Sequence, residues 1–409
     1  MKLFDELKWR GLINDISDDE LIKELNEGCL TFYIGVDPTA DSLHIGHCSS
    51  LLTAKRLSDA GHKPIMIAGG ATGLIGDPKP DAERPMISVE DVENNIVKIK
   101  AQMNAVLECD IINNYDWHGN INFITFLRDY GKHINVNYMI SKDSVKRRLE
   151  TGITYTEFSY MLLQAVDFLK LYEQYNCRLQ IGGQDQWGNI TAGLEMIRKH
   201  HPGAKAYAFT MPLVTKADGT KFGKSEQGNV WLDATRTSPY EMYQFFINTE
   251  DVKVIDYLKI FTFLTKEEIE VLEQSTKEKP ELREAAKALA KEMVIMIHGE
   301  DAYKEALKIT EVLFSGEVNK LSSENIENIF KNHETTLIEG ELPIIDLLVL
   351  SGVAKSKREA RDLVNNGGIS VNGTKVTDET FVVGEENVIG NKFVVIRKGK
   401  KNYFLAKFN

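Results

Sequence analysis

The sequence predicts an α/β fold, in which a doubly wound parallel sheet is followed by an α-helical region and a small α+β module. Short apolar runs alternate with helical patterns over about the first 220 residues, and glycines stand where the apolar runs end. From Pro239 to Ser315 the strand signals cease. The 409 residues are 43% apolar and 27% charged, a globular composition that excludes a disordered or membrane-embedded chain.

The first region supplies the elements of the predicted sheet. Four apolar runs are its predicted strands: Leu30–Val36, Pro64–Ala68, Arg178–Ile181 and Met211–Thr215. Segments with helical periodicity lie between them: Ile45–Ala60, Val89–Leu107 and Glu157–Tyr175. Sheets of this kind bind ligands at the carboxyl ends of their strands, so the loops that follow the strands are the places to look for a site.

The rest of the chain divides by composition. The predicted domains are residues 1–220 with the sheet, 221–320 with a basic loop and helices, a linker over 321–341, and a C-terminal module over 342–409. In the last, two short helices precede a hairpin that turns at Asn372–Gly373. The domain sizes agree with the two or three domains expected for this length.

Charge is unevenly distributed along the chain. The net charge of −11, from 49 Lys and Arg against 60 Asp and Glu, argues against a nucleic-acid partner when it is averaged over the whole molecule. Residues 342–409 alone carry 11 Lys and Arg against 7 Asp and Glu, a local net charge of +4. A basic module on an acidic body therefore keeps nucleic acid among the candidate partners.

The cysteines and the N-terminus bear on the compartment. The widely spaced cysteines form no metal-binding pattern and are predicted to be free thiols, with two disulfides as the alternative: Cys29, Cys48, Cys109 and Cys177. The first residues contain no apolar signal segment. Both observations predict a cytoplasmic protein without a membrane anchor.

The loop after the first strand contains the tetrapeptide His44-Ile45-Gly46-His47, preceded by Pro38-Thr39. The two histidines fall in or beside the first turn of a helix, where free N–H groups and the helix dipole favour phosphate. Their imidazoles could donate hydrogen bonds to a phosphate chain, and Gly46 lets a flat ring approach the backbone. A metal pair is the other interpretation, but a third ligand is not evident in the sequence.

Two further loops follow predicted strands. Residues 69–78, GGATGLIGDP, place glycines as GxxGxxG rather than the dinucleotide pattern GxGxxG, so a tight turn is an alternative to a binding loop. Asp77 at its end could meet a cationic group. After the strand at 178–181, Asp185 and Gln186 could hydrogen-bond ribose hydroxyls and a carboxylate-like oxygen.

The predicted helix Glu157–Tyr175 carries a polar stripe. Tyr160, Gln164 and Asp167 are spaced i, i+4 and i+7, so they share one face of an otherwise apolar helix. A buried polar stripe needs partners, either in a structural network or in a small polar ligand. The stripe contains no Lys or Arg to pair with Asp167, which favours the ligand.

A Gly-rich basic loop spans residues 218–225, DGTKFGKS. Only three residues separate Gly219 from Gly223, one fewer than the P-loop requires. Lys221 and Lys224 still suit a transient clamp on a polyphosphate.

Together these segments resemble the bacterial-type tyrosyl-tRNA synthetases, class I aminoacyl-tRNA synthetases, over nearly the whole chain. HIGH at 44–47 and KFGKS at 221–225, for the family's KMSKS, are similar to the two class I signatures. The amino acid is assigned by Tyr33 and by three motifs: GGATGLIGDP, YMLLQAVDF at 160–168 and GGQDQWGN at 182–189. The segment 79–84 departs from the family pattern, because Arg84 is retained whereas Lys79 is only a candidate for the family's lysine.

The resemblance implies a Rossmann-like catalytic domain that joins tyrosine to tRNA in two steps. Tyrosine reacts with ATP to give tyrosyl-adenylate and pyrophosphate, and the tyrosyl group then passes to the terminal adenosine of the tRNA. ATP enters as a substrate with Mg²⁺, and a tightly bound protein metal is not expected. The residues implied in catalysis are Thr39, His44, His47, Lys221 and Lys224.

The resemblance also implies the binding residues. Those for tyrosine are Tyr33, Asp77, Tyr160, Gln164, Asp167 and Gln186, with Tyr33 and Asp167 on the phenol, Gln186 on the carboxylate and the others on the ammonium. Those for ATP are Gly35, Asp37, His44, Gly46, His47, Asp185, Lys224 and Ser225. Those for RNA in the C-terminal module are Lys355, Lys357, Arg358 and Arg361.

Family members are homodimers whose helical region binds the anticodon, and here the apolar segment Ile121–Tyr138 could contribute to an interface. Two alternatives remain at this point. One is a nucleotidyltransferase or tryptophan-specific relative, against which Tyr33 and Asp167 argue because they suit a phenol. The other is a non-catalytic RNA-binding protein on the same scaffold, against which the intact HIGH and KFGKS motifs argue.

Overall fold

The structure is a computed structural model that describes residues 1–79, 82–225, 228–330, 335–399 and 402–408. The side chains of Asp143, Lys224 and Ser225 lie outside this description. The chain forms two compact units. One consists of residues Met1–Thr237 and Phe246–Ile297, and the other of Ser238–Phe245 and His298–Asn409.

A five-stranded parallel sheet lies at the centre of the first unit. Its strands are β1 (Thr31–Val36), β2 (Lys63–Ala68), β3 (Asp110–Asn113), β4 (Cys177–Gly183) and β5 (Tyr207–Met211). Their order is β3-β2-β1-β4-β5, and every neighbouring pair is parallel. The predicted doubly wound sheet is thus confirmed. Its order reverses between β1 and β4, which is where such sheets bind ligands.

Two strand predictions differ from the structure. The predicted strand Met211–Thr215 is wrong, because β5 ends where that prediction begins. Residues 207–211 are all buried, whereas Pro212 has no N–H to donate and Leu213 is 51% exposed. The edge strand β3 was not predicted, because its residues are at most half-buried and give no apolar run.

The α-helices over residues 1–298 lie wholly or partly in the first unit. Three of them matter for the site: α1 (Cys48–Asp59), α2 (Tyr155–Tyr175) and α3 (Trp187–His200). The other α-helices in this part of the chain are Leu3–Trp9, Glu20–Glu27, Gly70–Ile75, Val89–Val106, Tyr115–His118, Phe123–Thr125, Val136–Ile140, Asp143–Arg148, Pro239–Ile247, Asp251–Phe261, Lys266–Glu278 and Glu284–His298.

Helix α2 is the predicted polar-stripe helix, and it lies in the core. Thr154 caps its first turn by accepting a hydrogen bond from the Glu157 backbone N–H, and Asn176 ends it with a φ of 50°. Its apolar side chains pack with residues of α3 and of the sheet in one cluster. Because α2 is buried, each polar side chain on it must find a partner or a ligand.

The second unit has its own five-stranded sheet and helices. The strands run in the order Thr374–Val376, Ile369–Val371, Phe393–Lys398, Asn402–Phe408 and Thr335–Ile338. The α-helices wholly within it are Glu300–Ser315, Ser323–Phe330, Ile344–Leu350 and Lys357–Asn365. The stretch 321–341, where the sequence predicts a linker, thus contains a helix and a strand that pairs with Asn402–Phe408. The sequence does not predict this strand, because the strand contains too few apolar residues to form an apolar run. Only Ile338 of the strand is buried.

The predicted hairpin in this unit is confirmed. Asn372 and Gly373 both have positive φ angles, 49° and 86°, as the tight turn between paired strands requires. A Cβ atom on Gly373 would collide with the carbonyl oxygen of Gly316. Glycine is therefore needed here both for its backbone angle and for space.

Two further findings concern the expectations about the compartment. The four cysteines are free thiols in the structure. Within the described ranges, no helix combines the length and the apolar character that a membrane crossing demands.

We expect Gly373→Ala to lower the free energy of unfolding of the second unit more than Gly340→Ala does. Both glycines have positive φ, but a Cβ at Gly340 meets no atom within 4 Å. Gly340→Ala is the control, and it reports the cost of backbone strain alone, about 1 kcal/mol. In Gly373→Ala, the cost of the collision is added to this strain. Urea denaturation of the full chain gives both values. Equal losses in the two variants would contradict the packing described for this turn.

Candidate active site

The candidate site lies at the carboxyl ends of β1, β2 and β4, around the reversal in strand order. The loop after β1 brings residues 37–47, the loop after β2 brings 69–78, and the loop after β4 brings 184–189. Helix α2 adds its polar stripe from one face of the sheet. Hydrogen bonds join these four segments, from Asp37 to Thr72 and Tyr160 and from Asp77 to Gln186.

The histidines of the HIGH segment have fixed ring orientations. His44 Nδ1 accepts a hydrogen bond from the Gly46 backbone N–H at 3.1 Å, and His47 Nδ1 accepts one from the His44 N–H at 3.1 Å. The two rings stack with centroids 3.9 Å apart. Because each Nδ1 is an acceptor, the neutral rings carry their protons on Nε2 and can donate from that atom.

Burial keeps the His47 ring uncharged. Desolvation, followed by the neighbouring His44, lowers the pKa of His47 to about 3. A Cβ on Gly46 would lie 2.8 Å from the His44 ring, so glycine is required beside the two imidazoles. The segment thus presents neutral hydrogen-bond donors. Such donors bind an anionic ligand more weakly than charged side chains do.

The KFGKS loop is attached to the HIGH segment through backbone hydrogen bonds. Val230 N–H donates to Gly223 O at 3.0 Å, and Ile45 N–H donates to Val230 O at 2.8 Å. Phe222 is only 8% exposed and packs against the rings of Tyr257 and Phe261, with centroids 4.5 and 5.0 Å away. An aromatic side chain at this position therefore anchors the loop beside the histidines.

Asp37, at the end of β1, joins the β2 loop to α2. Its carboxylate accepts hydrogen bonds from Thr72 Oγ1 and from the Tyr160 hydroxyl, both at 2.8 Å. Burial raises the pKa of Asp37 to about 6 against these hydrogen bonds. Burial and the nearby carboxylates Asp37 and Asp77 also raise the pKa of Tyr160 well above its usual value, so its hydroxyl remains a donor.

Asp77, at the end of the β2 loop, is held by residues that follow β4. It accepts hydrogen bonds from Gln186 Nε2 at 2.9 Å and Asn189 Nδ2 at 3.2 Å. Asn189 also donates to Gln186 Oε1 at 3.1 Å, and Arg84 Nε donates to the Asp77 carbonyl at 2.8 Å. Burial raises the pKa of Asp77. The predicted residues Asp77 and Gln186 are therefore in direct contact.

Asp167 on α2 is buried and accepts hydrogen bonds from three donors that belong to one short segment. Its Oδ1 accepts from Trp117 Nε1 and His118 Nε2, both at 2.8 Å, and its Oδ2 accepts from Asn114 Nδ2 at 3.0 Å. Asn114 also donates to Thr72 Oγ1 at 3.0 Å. The contacts form a continuous polar network through the site, in the order Tyr160, Asp37, Thr72, Asn114 and Asp167.

Two buried polar atoms of the pocket lack a partner among the described residues. They are the Tyr33 hydroxyl on β1 and Oε1 of Gln164 on α2. Burial and the charge of Asp167 raise the pKa of Tyr33 well above its usual value, so the hydroxyl stays protonated. Buried polar atoms without partners are costly, and here both lie among the predicted site residues. They indicate a pocket that a polar ligand completes.

Five further predicted residues of this unit are exposed to solvent: Gly35, Thr39, Gly46, Asp185 and Lys221. For Lys224 and Ser225 only the backbone is described, and their predicted contacts lie outside the described residues. The predicted RNA contacts belong to the other unit and are all exposed, with Lys357 paired to Asp346 at 2.6 Å and Arg361 to Glu379 at 3.5 Å.

Sequence reasoning missed several residues of the site. Asn114, Trp117 and His118 supply all the donors to Asp167, and Thr72 and Asn189 orient the other two carboxylates. The signal for the first three was present as polar and aromatic residues directly after a strand. This signal points to a site only when β3 is recognised as a strand, and the sequence does not predict β3.

Comparison with known proteins identifies sequence relatives over the whole chain. Residues 25–315 match the family described as tRNA synthetases class I (W and Y), and residues 325–406 match the tyrosine–tRNA ligase SYY-like C-terminal domain. The chain is 54% identical over 418 residues to the tyrosine–tRNA ligase of Geobacillus stearothermophilus, and each chain is covered completely. It is 52% identical over 417 residues to that of Staphylococcus carnosus, covering 99% of the relative.

A solved structure is similar as well. The C-terminally truncated mitochondrial tyrosyl-tRNA synthetase of Aspergillus nidulans superposes with a TM-score of 0.69 at 30% sequence identity. The superposition covers 76% of this chain and 94% of that one.

We expect the raised pKa of Asp37 to give the protein a measurable pH dependence of stability. Between its ordinary value of 3.8 and about 6, the folded state holds a proton that the unfolded state has released. The stability contributed by Asp37 is therefore present below this window and is lost as the pH rises through it. The side chain in Asp37→Asn cannot titrate. Between pH 4 and pH 7, the free energy of unfolding of the wild type should therefore fall by on the order of 1–2 kcal/mol relative to that of the variant.

Urea denaturation of both proteins across this range measures the difference. Two stability profiles that stay parallel from pH 4 to pH 7 would contradict the burial assigned to Asp37.

Proposed function

Since the chain belongs to the class I tRNA synthetases of the tryptophan and tyrosine type, as a tyrosine–tRNA ligase, we propose which of its residues perform each part of the reaction. The enzyme activates L-tyrosine with ATP, forming tyrosyl-adenylate and pyrophosphate. It then transfers the tyrosyl group to the 3′-terminal adenosine of tRNA(Tyr). The tryptophan-specific and non-catalytic alternatives have no further support.

We propose that tyrosine binds with its phenol between Tyr33 and Asp167. The unpartnered Tyr33 hydroxyl is the observation that carries this assignment, because a phenol hydroxyl bonded to both residues would complete it. The substrate hydroxyl donates to Asp167 and accepts from Tyr33. Phenylalanine would leave both groups unpaired in a buried site, a mode of rejection best known from this enzyme family itself.

The ammonium and carboxylate of tyrosine then lie at the other end of the pocket. We propose that Tyr160, Gln164 and Asp77 hold the ammonium, supported by the unpartnered Oε1 of Gln164 and by the hydrogen-bonded carboxylate of Asp77. We propose that Gln186 contacts the substrate carboxylate, which is supported by its hydrogen bond to Asp77 at the same end of the pocket.

ATP is the second substrate, and we propose that it lies along the rim formed by the HIGH and KFGKS segments. His44 and His47 donate from Nε2 to the phosphates, with Thr39, Lys221 and Lys224 as further contacts. Gly35, Asp37, Gly46, Asp185 and Ser225 are proposed to line the nucleotide, with Asp185 on the ribose. The exposure of Gly35, Gly46 and Asp185 leaves room for it.

The proposed activation step needs no general base. The tyrosine carboxylate is already a nucleophile, and it attacks the α-phosphate while pyrophosphate leaves. The negative charge that builds on the phosphates is met by the imidazole donors and the lysine loop, so catalysis is electrostatic. Mg²⁺ would enter with ATP, bound to its phosphates. Across the described ranges no three His, Cys, Asp or Glu side chains converge into a protein metal site.

Three further proposals concern partners and location. The region 221–320 is proposed to bind the anticodon, and the exposed cations Lys355, Lys357, Arg358 and Arg361 to bind tRNA backbone. Segment 121–138 is proposed to form a homodimer interface, which is supported by the exposed side chains of Phe123 at 64% and Ile124 at 66%. Because ATP and tRNA are cytoplasmic, we propose that the enzyme works in the cytoplasm.

We expect Asp167→Ala to lose tyrosine activation while the KM for ATP changes less than about twofold. The substitution removes the acceptor for the phenol, and a lost hydrogen bond to a charged group in a buried site costs kcat/KM at least about tenfold. Tyrosine-dependent pyrophosphate exchange measures both constants. Asp116→Ala, at an exposed carboxylate in the same region, is the control. Normal exchange in Asp167→Ala would contradict the pocket assignment.

We expect the fourfold alanine variant of Lys355, Lys357, Arg358 and Arg361 to charge tRNA weakly and to form tyrosyl-adenylate normally. Removing cations that contact phosphates weakens binding about tenfold or more and flattens its salt dependence. Tyrosylation and pyrophosphate exchange, measured between about 50 and 200 mM salt, separate the two steps.

The matched control removes the same number of exposed charges from the first unit: Lys2, Lys8, Lys23 and Lys63. Equal rates of tRNA tyrosylation by the two fourfold variants would show that Lys355, Lys357, Arg358 and Arg361 do not contact tRNA.

A further inference from the structure

The carboxylate of Asp167 has an asymmetric set of partners. Oδ1 accepts two hydrogen bonds, from Trp117 Nε1 and from His118 Nε2, and Oδ2 accepts one, from Asn114 Nδ2. A carboxylate oxygen has two lone pairs in the plane of the group. Oδ1 is therefore filled, and Oδ2 keeps one lone pair for another donor.

We propose that His118 is a positioning residue for tyrosine recognition, because its hydrogen bond fills Oδ1 and leaves Oδ2 as the only acceptor offered to the substrate hydroxyl. This inference rests on the proposed function, in which Asp167 binds the phenol. His118 does not touch the substrate in this account. It acts through Asp167 by fixing which oxygen is available and how the carboxylate plane is turned.

Burial makes this contact strong. The side chains of His118 and Asp167 are 6% and 4% exposed, so water does not compete for the bond. A carboxylate oxygen only accepts, so His118 Nε2 is the donor, and hydrogen bonds to a carboxylate are stronger than those between neutral groups. Without His118, Oδ1 would regain a lone pair and Asp167 could present either oxygen to the substrate.

The local fold explains why one short segment supplies all three donors. Helix Tyr115–His118 follows β3, and Asn114 directly precedes it. Residues three and four positions apart share a helix face, so Trp117 and His118 project to the same side as Asn114. The His118 N–H donates to the Asn114 carbonyl at 3.2 Å, which closes this turn. The turn thus presents its three donors to Asp167 as one unit.

The test compares His118→Phe, which keeps a ring but cannot donate, with His118→Gln, whose Nε2 can donate from a similar reach. In pyrophosphate exchange, we expect His118→Phe to raise the KM for tyrosine about tenfold and to lower the tyrosine-to-phenylalanine ratio of kcat/KM by a similar factor. The KM for ATP stays within about twofold, since the nucleotide contacts are elsewhere. His118→Gln recovers most of both effects.

The control is His201, whose Nε2 contacts Glu173 Oε1 at 3.0 Å on the surface. His201→Phe removes an equivalent histidine–carboxylate contact outside the pocket and should leave all these constants unchanged. If His118→Phe folds poorly, His118→Leu poses the same question with a smaller side chain.

Two results would overturn the proposal: unchanged tyrosine constants in folded His118→Phe, or an equal loss for tyrosine, phenylalanine and ATP, which indicates a structural role. The Asp167→Ala variant separates this failure from that of the proposed function. If Asp167→Ala loses tyrosine activation and His118→Phe does not, only the role of His118 is wrong. If both activate tyrosine normally, the pocket itself is misassigned.

Discussion

The site depends on one buried polar network that runs from Tyr160 through Asp37, Thr72 and Asn114 to Asp167. Each link crosses between elements that are distant in the chain, so the network ties β1, the loops after β2 and β3, and α2 together. Buried carboxylates are costly unless they are hydrogen-bonded, and this requirement fixes the side chains in one arrangement. Beside this network, Tyr33 and Gln164 each have a buried polar atom without a partner among the described residues, and we propose that the substrate supplies it.

The phosphate side of the site is organised by the backbone rather than by charge. Backbone N–H groups orient both imidazoles, and the backbone of Val230 attaches the KFGKS loop to the HIGH segment through two hydrogen bonds. The neutral histidines provide donors without a permanent charge, and the packing of Phe222 anchors the loop that carries Lys221 and Lys224. In the proposed reaction, these donors stabilise charge that develops in the transition state more than charge already present in ATP, which is what raises a rate.

The sequence predicted the parallel sheet, α2 with its polar stripe, the HIGH and KFGKS segments, and the Asn372–Gly373 hairpin, because each has a strong local pattern. It did not predict β3 or the strand Thr335–Ile338, since both are short, mostly unburied and formed through pairing with distant residues. The donors to Asp167 were missed for the same reason. Which residues satisfy a buried carboxylate is decided by tertiary packing, and spacing along one helix cannot show it.

In the proposed pocket, Asp167, held by its donors, decides between tyrosine and phenylalanine. The most direct measurement is the tyrosine-to-phenylalanine ratio of kcat/KM in pyrophosphate exchange for Asn114→Ala. Asn114 touches Oδ2, the oxygen assigned to the substrate, and links it to Thr72. We expect this ratio to fall, with tyrosine losing far more than phenylalanine. A ratio equal to that of the wild type, with both amino acids slowed alike, would contradict it.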